Sequence, residues 1–303
     1  MNLFVFGLGY SAMHYVTTRA AGERVAGTVR TTEKVREIRA AHSNIEALIF
    51  DAAAAGEGLR ERLTNGTHLL VSIPPGESGD PTLAHFRDAI ESAPQLEHIV
   101  YLSTIGVYGD HNGAWVDEDA PTEPSSARNR ARVMAESEWL ALGADADKKS
   151  TILRLAGIYG PGRNALVNIR EGKARRIVKP GQVFNRIHVE DIARAIEAAF
   201  APDAPAGIFN VTDDEPAPPQ DVIAYAAGLL DVESPPEIPF ESADLTQMAR
   251  SFYSSNKRVA NRRLKEQLGV VLAYPTYRHG LRALAAEFQT ALGDIIGAGP
   301  RIS

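Results

Sequence analysis

The chain has 303 residues, 44% hydrophobic and 23% charged, an ordinary globular composition that argues against a disordered, collagen-like or low-complexity protein. Its 32 Lys and Arg against 38 Asp and Glu give a net charge of −6, and no basic run is long enough to follow a phosphate backbone, so no nucleic-acid partner is expected. The absence of cysteine excludes disulfides, thiolate metal sites and a thiol nucleophile, and with neither a basic leader nor a long uncharged apolar stretch the chain reads as soluble, cytoplasmic and without a membrane partner.

Short apolar runs recur along the first half: LFVF at 3–6, RVAGTV at 24–29, EALIF at 46–50, HLLVS at 68–72, HIVYLS at 98–103 and TILRL at 151–155. Each is β-branched or aromatic-rich and bounded by Gly, Pro, Asp or Asn. Helix-like stretches at 12–20, 33–41, 81–93 and 127–142 separate them, with apolar positions three and four apart. That alternation predicts parallel strands joined by crossover helices, in an α/β doubly wound sheet covered on both faces. Beyond about 160, GIFNV at 207–211 reads as one more strand, after a helix beginning at Asp191. Pro-rich segments at 215–219 and 234–239 follow, and helices are predicted over 220–230, 256–268 and 276–292. The expected division is a sheet domain of 1–164 and 182–212, and a smaller, mostly helical cap of 165–181 and 213–303 over a substrate site.

Strand 3–6 runs directly into Gly7-Leu8-Gly9-Tyr10-Ser11-Ala12 and then a helix. This is the G-x-G-x-x-G/A pattern of a dinucleotide-binding Rossmann turn in the context it requires. Gly7 permits the tight turn, Gly9 lets a pyrophosphate approach the backbone, Ala12 lets helix and strand pack, and the helix N-terminus favours the phosphates. An acidic residue about 20 positions on would hold an NAD ribose. Here Arg30, Thr31 and Thr32 stand at the second strand's tip, and the arginine fork suits a 2′-phosphate, favouring NADP with NAD as the alternative. Asp51 closes the third strand, where it faces the adenine or is an exposed turn residue. Ser72, Ile73 and Pro74 end the fourth strand where the cofactor would pass.

Five further segments, VYLSTIGVYGD at 100–110, VDEDAP at 116–121, LRLAGIYGPGR at 153–163, RIHVEDIARAI at 186–196 and GIFNVTDDEP at 207–216, resemble successive blocks of the extended short-chain dehydrogenase/reductase superfamily, of the NAD-dependent epimerase/dehydratase type. The resemblance covers almost the whole chain. It implies a nicotinamide cofactor across the sheet's carboxyl edge, with Ile158 beside it. It also implies a small-molecule substrate beneath the cap, often a nucleotide sugar or phosphorylated compound, and a homodimer through two helices.

The resembled chemistry needs a Ser or Thr at the end of the fifth strand and a Tyr-x-x-x-Lys on the following helix. Thr104 holds the hydroxyl position, but counting back from Glu136 puts Arg132 at the Lys position and Arg128 at the Tyr position. An arginine cannot act as the proton-transferring phenol. Arg132 can replace the lysine as a fixed cation, and if the helix face they share lines the cleft, the two arginines form an anion site. Tyr253-Ser254-Ser255-Asn256-Lys257 matches Tyr-x-x-x-Lys by coincidence, in a segment far from the fifth strand. Tyr108, Tyr159 and His188 are the remaining acid/base or substrate-contact candidates, and Arg163 and Asn164 are expected to contact substrate. The histidines show no ligand spacing, so no metal is expected, and a non-catalytic NADP-binding sensor is the alternative to an enzyme.

Overall fold

The computed structural model describes residues 1–51 and 58–297. The first part of the chain forms β1 (Asn2–Phe6), α1 (Tyr10–Thr18), β2 (Arg24–Val29), α2 (Thr32–Ala41), β3 (Ile45–Ile49), α3 (Leu59–Thr64), β4 (His68–Val71), α4 (Pro81–Ser92), β5 (His98–Thr104), β6 (Trp115–Val116), α5 (Ala127–Asp145) and β7 (Lys149–Leu155). The remainder forms β8 (Gly157–Tyr159), α6 (Ala165–Arg170), β9 (Arg176–Val178), β10 (Arg186–His188), α7 (Val189–Ala199), β11 (Gly207–Val211), α8 (Pro219–Leu229), β12 (Glu237–Pro239), α9 (Gln247–Phe252), β13 (Arg258–Val259), α10 (Arg262–Glu266) and α11 (Tyr277–Gly297).

Seven strands make one sheet in the order β3-β2-β1-β4-β5-β7-β11, every pairing parallel. Successive side chains of a strand point to opposite faces, and here both faces are buried. Leu3 and Val5 join Tyr15, Val16, Ile192 and Ile196 of α1 and α7 on one side. Phe4 and Phe6 join Phe86 and Trp139 of α4 and α5 on the other. Each such side chain stabilises the fold by about 1.5–3 kcal/mol relative to exposure. Chain order reverses between β1 and β4, which places the topological switch point at the loop after β1, where doubly wound sheets bind ligands.

The doubly wound sheet is the architecture read from the alternating apolar runs. The predicted helix over 256–268 is different: it begins as β13, and α10 spans only Arg262–Glu266. Arg258 N donates to Ala114 O at 2.9 Å and Ala260 N to Val116 O at 2.8 Å. Backbone groups bonded across to β6 are lost to an i→i−4 ladder, so the helix starts only after them. Among the described residues no helix is long and apolar enough to cross a membrane.

Candidate functional site

The glycine turn is laced to its neighbours. Gly7 N donates to Thr28 Oγ1 at 2.9 Å, Leu8 N to Thr28 O at 2.8 Å and Ser72 N to Phe6 O at 2.8 Å, tying the carboxyl ends of β1, β2 and β4 together. Gly7 has φ +91°, and a methyl there would lie 2.6 Å from Ile73 Cγ2. Gly9 caps α1 with no side-chain bond, the first turn carries no acid, and among the described residues nothing lies within 4 Å of the point a Cβ would occupy. The open space therefore faces the unpaired N–H groups and positive end of α1, a cradle for an anion. Ser11 and Ala12 are buried behind it.

Around this cradle stand the other residues expected to hold a dinucleotide. Arg30 is exposed directly after β2 and forms no ion pair among the described residues, whereas Thr31 Oγ1 accepts from Lys34 N and caps α2. Asp51 is exposed after β3, Ser72 is half-buried after β4, and Pro74 is exposed two residues on. Ile158, half-buried in β8, packs against the core beneath α1.

Arg163 lies beside the glycine turn. Gly160 and Arg163 exchange backbone hydrogen bonds of 3.0 and 3.1 Å across Pro161-Gly162, with Gly162 at φ +71°, as a type II turn requires. Tyr10 Oη donates to Pro161 O at 2.9 Å, and the Arg163 guanidinium sits 5.9 Å from the centre of the Tyr10 ring. The expected substrate contact is thereby moved to the rim of the α1 cradle. Asn164 is 7% exposed and engaged at both ends of its amide: Nδ2 donates to Gly160 O at 2.8 Å and Oδ1 accepts from Val167 N at 3.1 Å. It caps α6 and does not reach outward.

Thr104 ends β5, and its Oγ1 accepts from Gly106 N at 3.1 Å, so its O–H remains to donate. Arg132 is 8% exposed; its Nη1 donates to Leu102 O at 2.7 Å and to Tyr101 Oη at 3.0 Å, with the guanidinium 5.5 Å from the centre of the Tyr101 ring. Arg128 is exposed in the first turn of α5. The paired arginine anion site is thus not formed: one cation is held under the strand end and the other is in solvent. Sequence reading missed Asn129, whose side-chain amide would lie 2.9 Å from a Cβ on Gly106, against the turn after Thr104. Beneath Thr104 runs a buried network. Ser103 Oγ donates to Glu136 Oε1 at 2.5 Å, Arg154 Nη2 donates to Glu136 Oε2 at 2.7 Å, and the Arg154 guanidinium lies 4.8 Å from the centre of the Tyr108 ring. Tyr108 Oη donates to Asn210 Oδ1 at 2.7 Å, and Tyr108 is fully buried. The expectation that Tyr108 contacts substrate is therefore corrected.

His188 is also corrected. It is 3% exposed, and its Nδ1 accepts from Glu190 N at 3.2 Å as the cap of α7, so Nε2 carries the proton. Burial, with His14 nearby, pushes its pKa down to about 4. Tyr159 is 8% exposed, its ring 5.1 Å from that of His188, and burial raises its phenol. The Tyr253-x-x-x-Lys257 segment is closer to the fifth strand than expected: Lys257 Nζ donates to Gly109 O at 2.6 Å, five residues past Thr104. Its role there is to cap a carbonyl. Among the described residues no group of three or more His, Cys, Asp or Glu is arranged to hold a metal.

Asp213, 1% exposed beyond β11, has one carboxyl oxygen without a partner among the described residues, and burial pushes its pKa up to about 8. The folded protein therefore binds a proton there that the unfolded chain releases near pH 4. Stability from this group is complete below pH 4 and falls as pH rises towards 8, by up to about 1.4 kcal/mol per pH unit. Urea unfolding between pH 5 and 8 is expected to show that decline in the parent, and Asp213→Asn is expected to flatten it. An unchanged slope in the variant would exclude Asp213 as its source.

A sequence profile of the NAD dependent epimerase/dehydratase family matches residues 81–212. A solved protein of unknown function from Silicibacter pomeroyi DSS is 49% identical over 95% of this chain and 99% of its own, with a TM-score of 0.83. A structure from Methylobacillus flagellatus, described as a candidate NAD-dependent epimerase/dehydratase, is 25% identical over 95% and 98% of the two chains, TM-score 0.70. A Streptomyces protein named 3-diazoavenalumate denitrifying reductase is 27% identical over 87% of this chain and 92% of that one.

Proposed function

We propose that the chain is an atypical member of the extended short-chain dehydrogenase/reductase superfamily, of the NAD dependent epimerase/dehydratase type, and, from that premise, an NADP-dependent reductase of a small anionic molecule. The observation that carries the reading is the open, uncapped N-terminus of α1 at Gly9, a cradle that fits a pyrophosphate. Tyr10, Ser11 and Ala12 would hold the phosphates through their N–H groups, with Arg163 at the rim, and Arg30 would take the 2′-phosphate. Arg132 would orient the nicotinamide ribose from beneath β5.

When bound, reduced nicotinamide supplies a hydride, which carries both electrons that the acceptor gains. Thr104 donates its free O–H to an acceptor oxygen and fixes its orientation. Neither Arg128 nor Arg132 delivers a proton, and Tyr108, Asn164 and His188 are engaged inside the fold. A conjugated acceptor suits this inventory, because it spreads the incoming negative charge over its own π system and takes the balancing proton from water. Epimerisation suits it less, since removing a carbinol proton needs a positioned base. The Streptomyces relative's name as a reductase agrees with this choice.

NADPH oxidation against conjugated carbonyl acceptors is the test, with Thr104→Val and Thr104→Ser beside the parent. Valine is expected to lower kcat by about 100-fold, as loss of one positioned donor does, and serine to restore most of it. Tight NADPH binding with no oxidation across the panel would favour the non-catalytic sensor, the reading that the missing phenol otherwise supports.

A further inference from the structure

A cavity of about 490 Å³ opens between the Asp110–Gly113 turn after β5, the Lys179–Gln182 turn between β9 and β10, and the Tyr253–Arg258 segment leading into β13. Its walls are pinned to one another. Asn256 N donates to Asp110 Oδ1 at 2.6 Å, Asn256 Nδ2 to Gly181 O at 3.0 Å, Val183 N to Asn256 Oδ1 at 3.1 Å and Gln182 Nε2 to Ser255 O at 2.9 Å. A cavity fixed in advance avoids the entropic cost of ordering its walls around a ligand.

Its charges do not balance. Lys179 and Arg258 line it, each with one bond to a backbone carbonyl, those of Tyr253 and Gly113. An ammonium has three donors and a guanidinium five, so most remain available. Lys257 stands behind them, 6% exposed. None of the three forms a salt bridge among the described residues. The carboxylate in the lining, Asp110, already accepts from the backbone N–H groups of Asn256 and Asn112. Buried or half-buried cations whose partners are neutral carbonyls and hydroxyls are costly, and a ligand anion would relieve that cost. One more group shapes the ligand. Tyr253 offers a flat wall, held by Phe184 and Phe240 at ring separations of 5.1 and 5.0 Å.

We propose that this cavity binds the anionic end of a small aromatic acid, its carboxylate or phosphate oxygens between Lys179 and Arg258 and its ring against Tyr253. The inference deepens the reductase reading and rests on it for the ligand's being the substrate. The site is on the cap side of the loop that follows Thr104, where one end of a substrate would be anchored while the other reaches β5.

Benzoate and phenyl phosphate, with uncharged benzamide as control, are titrated by ligand-observed NMR into the parent, Lys179→Gln, Arg258→Gln and Ser254→Glu proteins. Ser254 is exposed at the rim and its Oγ donates only to Ser251 O, at 2.7 Å within its own turn, so the glutamate adds repulsion at the loss of one exposed local bond. At least one anion is expected to bind about tenfold or more tighter than benzamide, about 1.4 kcal/mol, with the stronger of the two identifying the group. That preference is expected to vanish in Lys179→Gln and Ser254→Glu while thermal midpoints stay at the parent value. Benzamide equal to both anions, no binding of any probe, or a preference that survives Lys179→Gln, Arg258→Gln and Ser254→Glu alike would each overturn the proposal. Inorganic phosphate equal to phenyl phosphate would overturn the ring contact. NADPH titrated into the same proteins separates the two claims: intact NADPH binding with no anion preference defeats the cavity alone, and anion preference without NADPH binding defeats the reductase reading.

Discussion

Gly9→Ala is expected to fold as the parent does and to lose NADPH affinity by about 100-fold or more. Gly9 has φ −90° and ψ −169°, extended backbone that alanine adopts freely, and its Cβ would enter empty space. Alanine is a poorer helix cap than glycine by several tenths of a kcal/mol, but it restricts the unfolded chain by about 0.4–1 kcal/mol, so the two effects nearly offset. The methyl would occupy the approach to the N–H groups of α1, which a pyrophosphate must reach. Gly7→Ala is the structural counterpart. Its φ of +91° and the 2.6 Å approach to Ile73 Cγ2 make it strained in the free protein, so stability and binding are expected to fall together. Thermal unfolding and nicotinamide fluorescence on both variants check this. Parent-like NADPH binding by a well-folded Gly9→Ala protein would mean that the phosphates lie elsewhere.

Glu136→Ala is expected to cost about 3–5 kcal/mol, a large share of the roughly 5–15 kcal/mol that holds a domain folded. Glu136 is 3% exposed and accepts three bonds from Arg154, itself 4% exposed, besides that of Ser103. Removing the carboxylate leaves a buried guanidinium whose Nη1 already lacks a hydrogen-bond partner among the described residues. Burying a well-packed apolar pair in place of both charges costs much less, so Glu136→Leu with Arg154→Met is expected to lose less than the two single changes added together. The urea midpoint checks it. A loss below about 1 kcal/mol for Glu136→Ala would show that solvent or a rearranged neighbour neutralises Arg154.

Much of this arrangement is legible in local patterns. The sheet strands that carry the core are apolar on both faces and bounded by turn residues, and Gly7 and Gly9 stand in a spacing that only a strand-to-helix turn explains. What escapes local reading depends on where elements end or on partners distant in the chain. Arg128 and Arg132 are four residues apart, but α5 begins at Ala127, so Arg128 projects from its first turn into solvent while Arg132 lies under β5. Tyr108 meets Asn210, and Asn164 meets Gly160 within its own turn, so their family blocks look outward-facing until those bonds are seen. β6 and β13 are two residues long, too short for alternation to register, and the apolar spacing after Lys257 imitates a helix that cross-strand bonding forbids. The cavity beside Tyr253 is assembled from three turns, each unremarkable in its own stretch of sequence.

The measurement that bears most directly on the central claim is a side-by-side titration of NADPH and NADH, followed by nicotinamide fluorescence, on the parent protein and on Arg30→Ala. Arg30 is exposed at the end of β2 and forms no ion pair among the described residues, so its loss leaves the fold intact. The expected result is saturable binding of both dinucleotides, with NADPH about tenfold or more tighter in the parent and equal to NADH in the variant. Binding of neither dinucleotide to the parent would contradict the account, and equal binding of both to the parent would remove NADP from it.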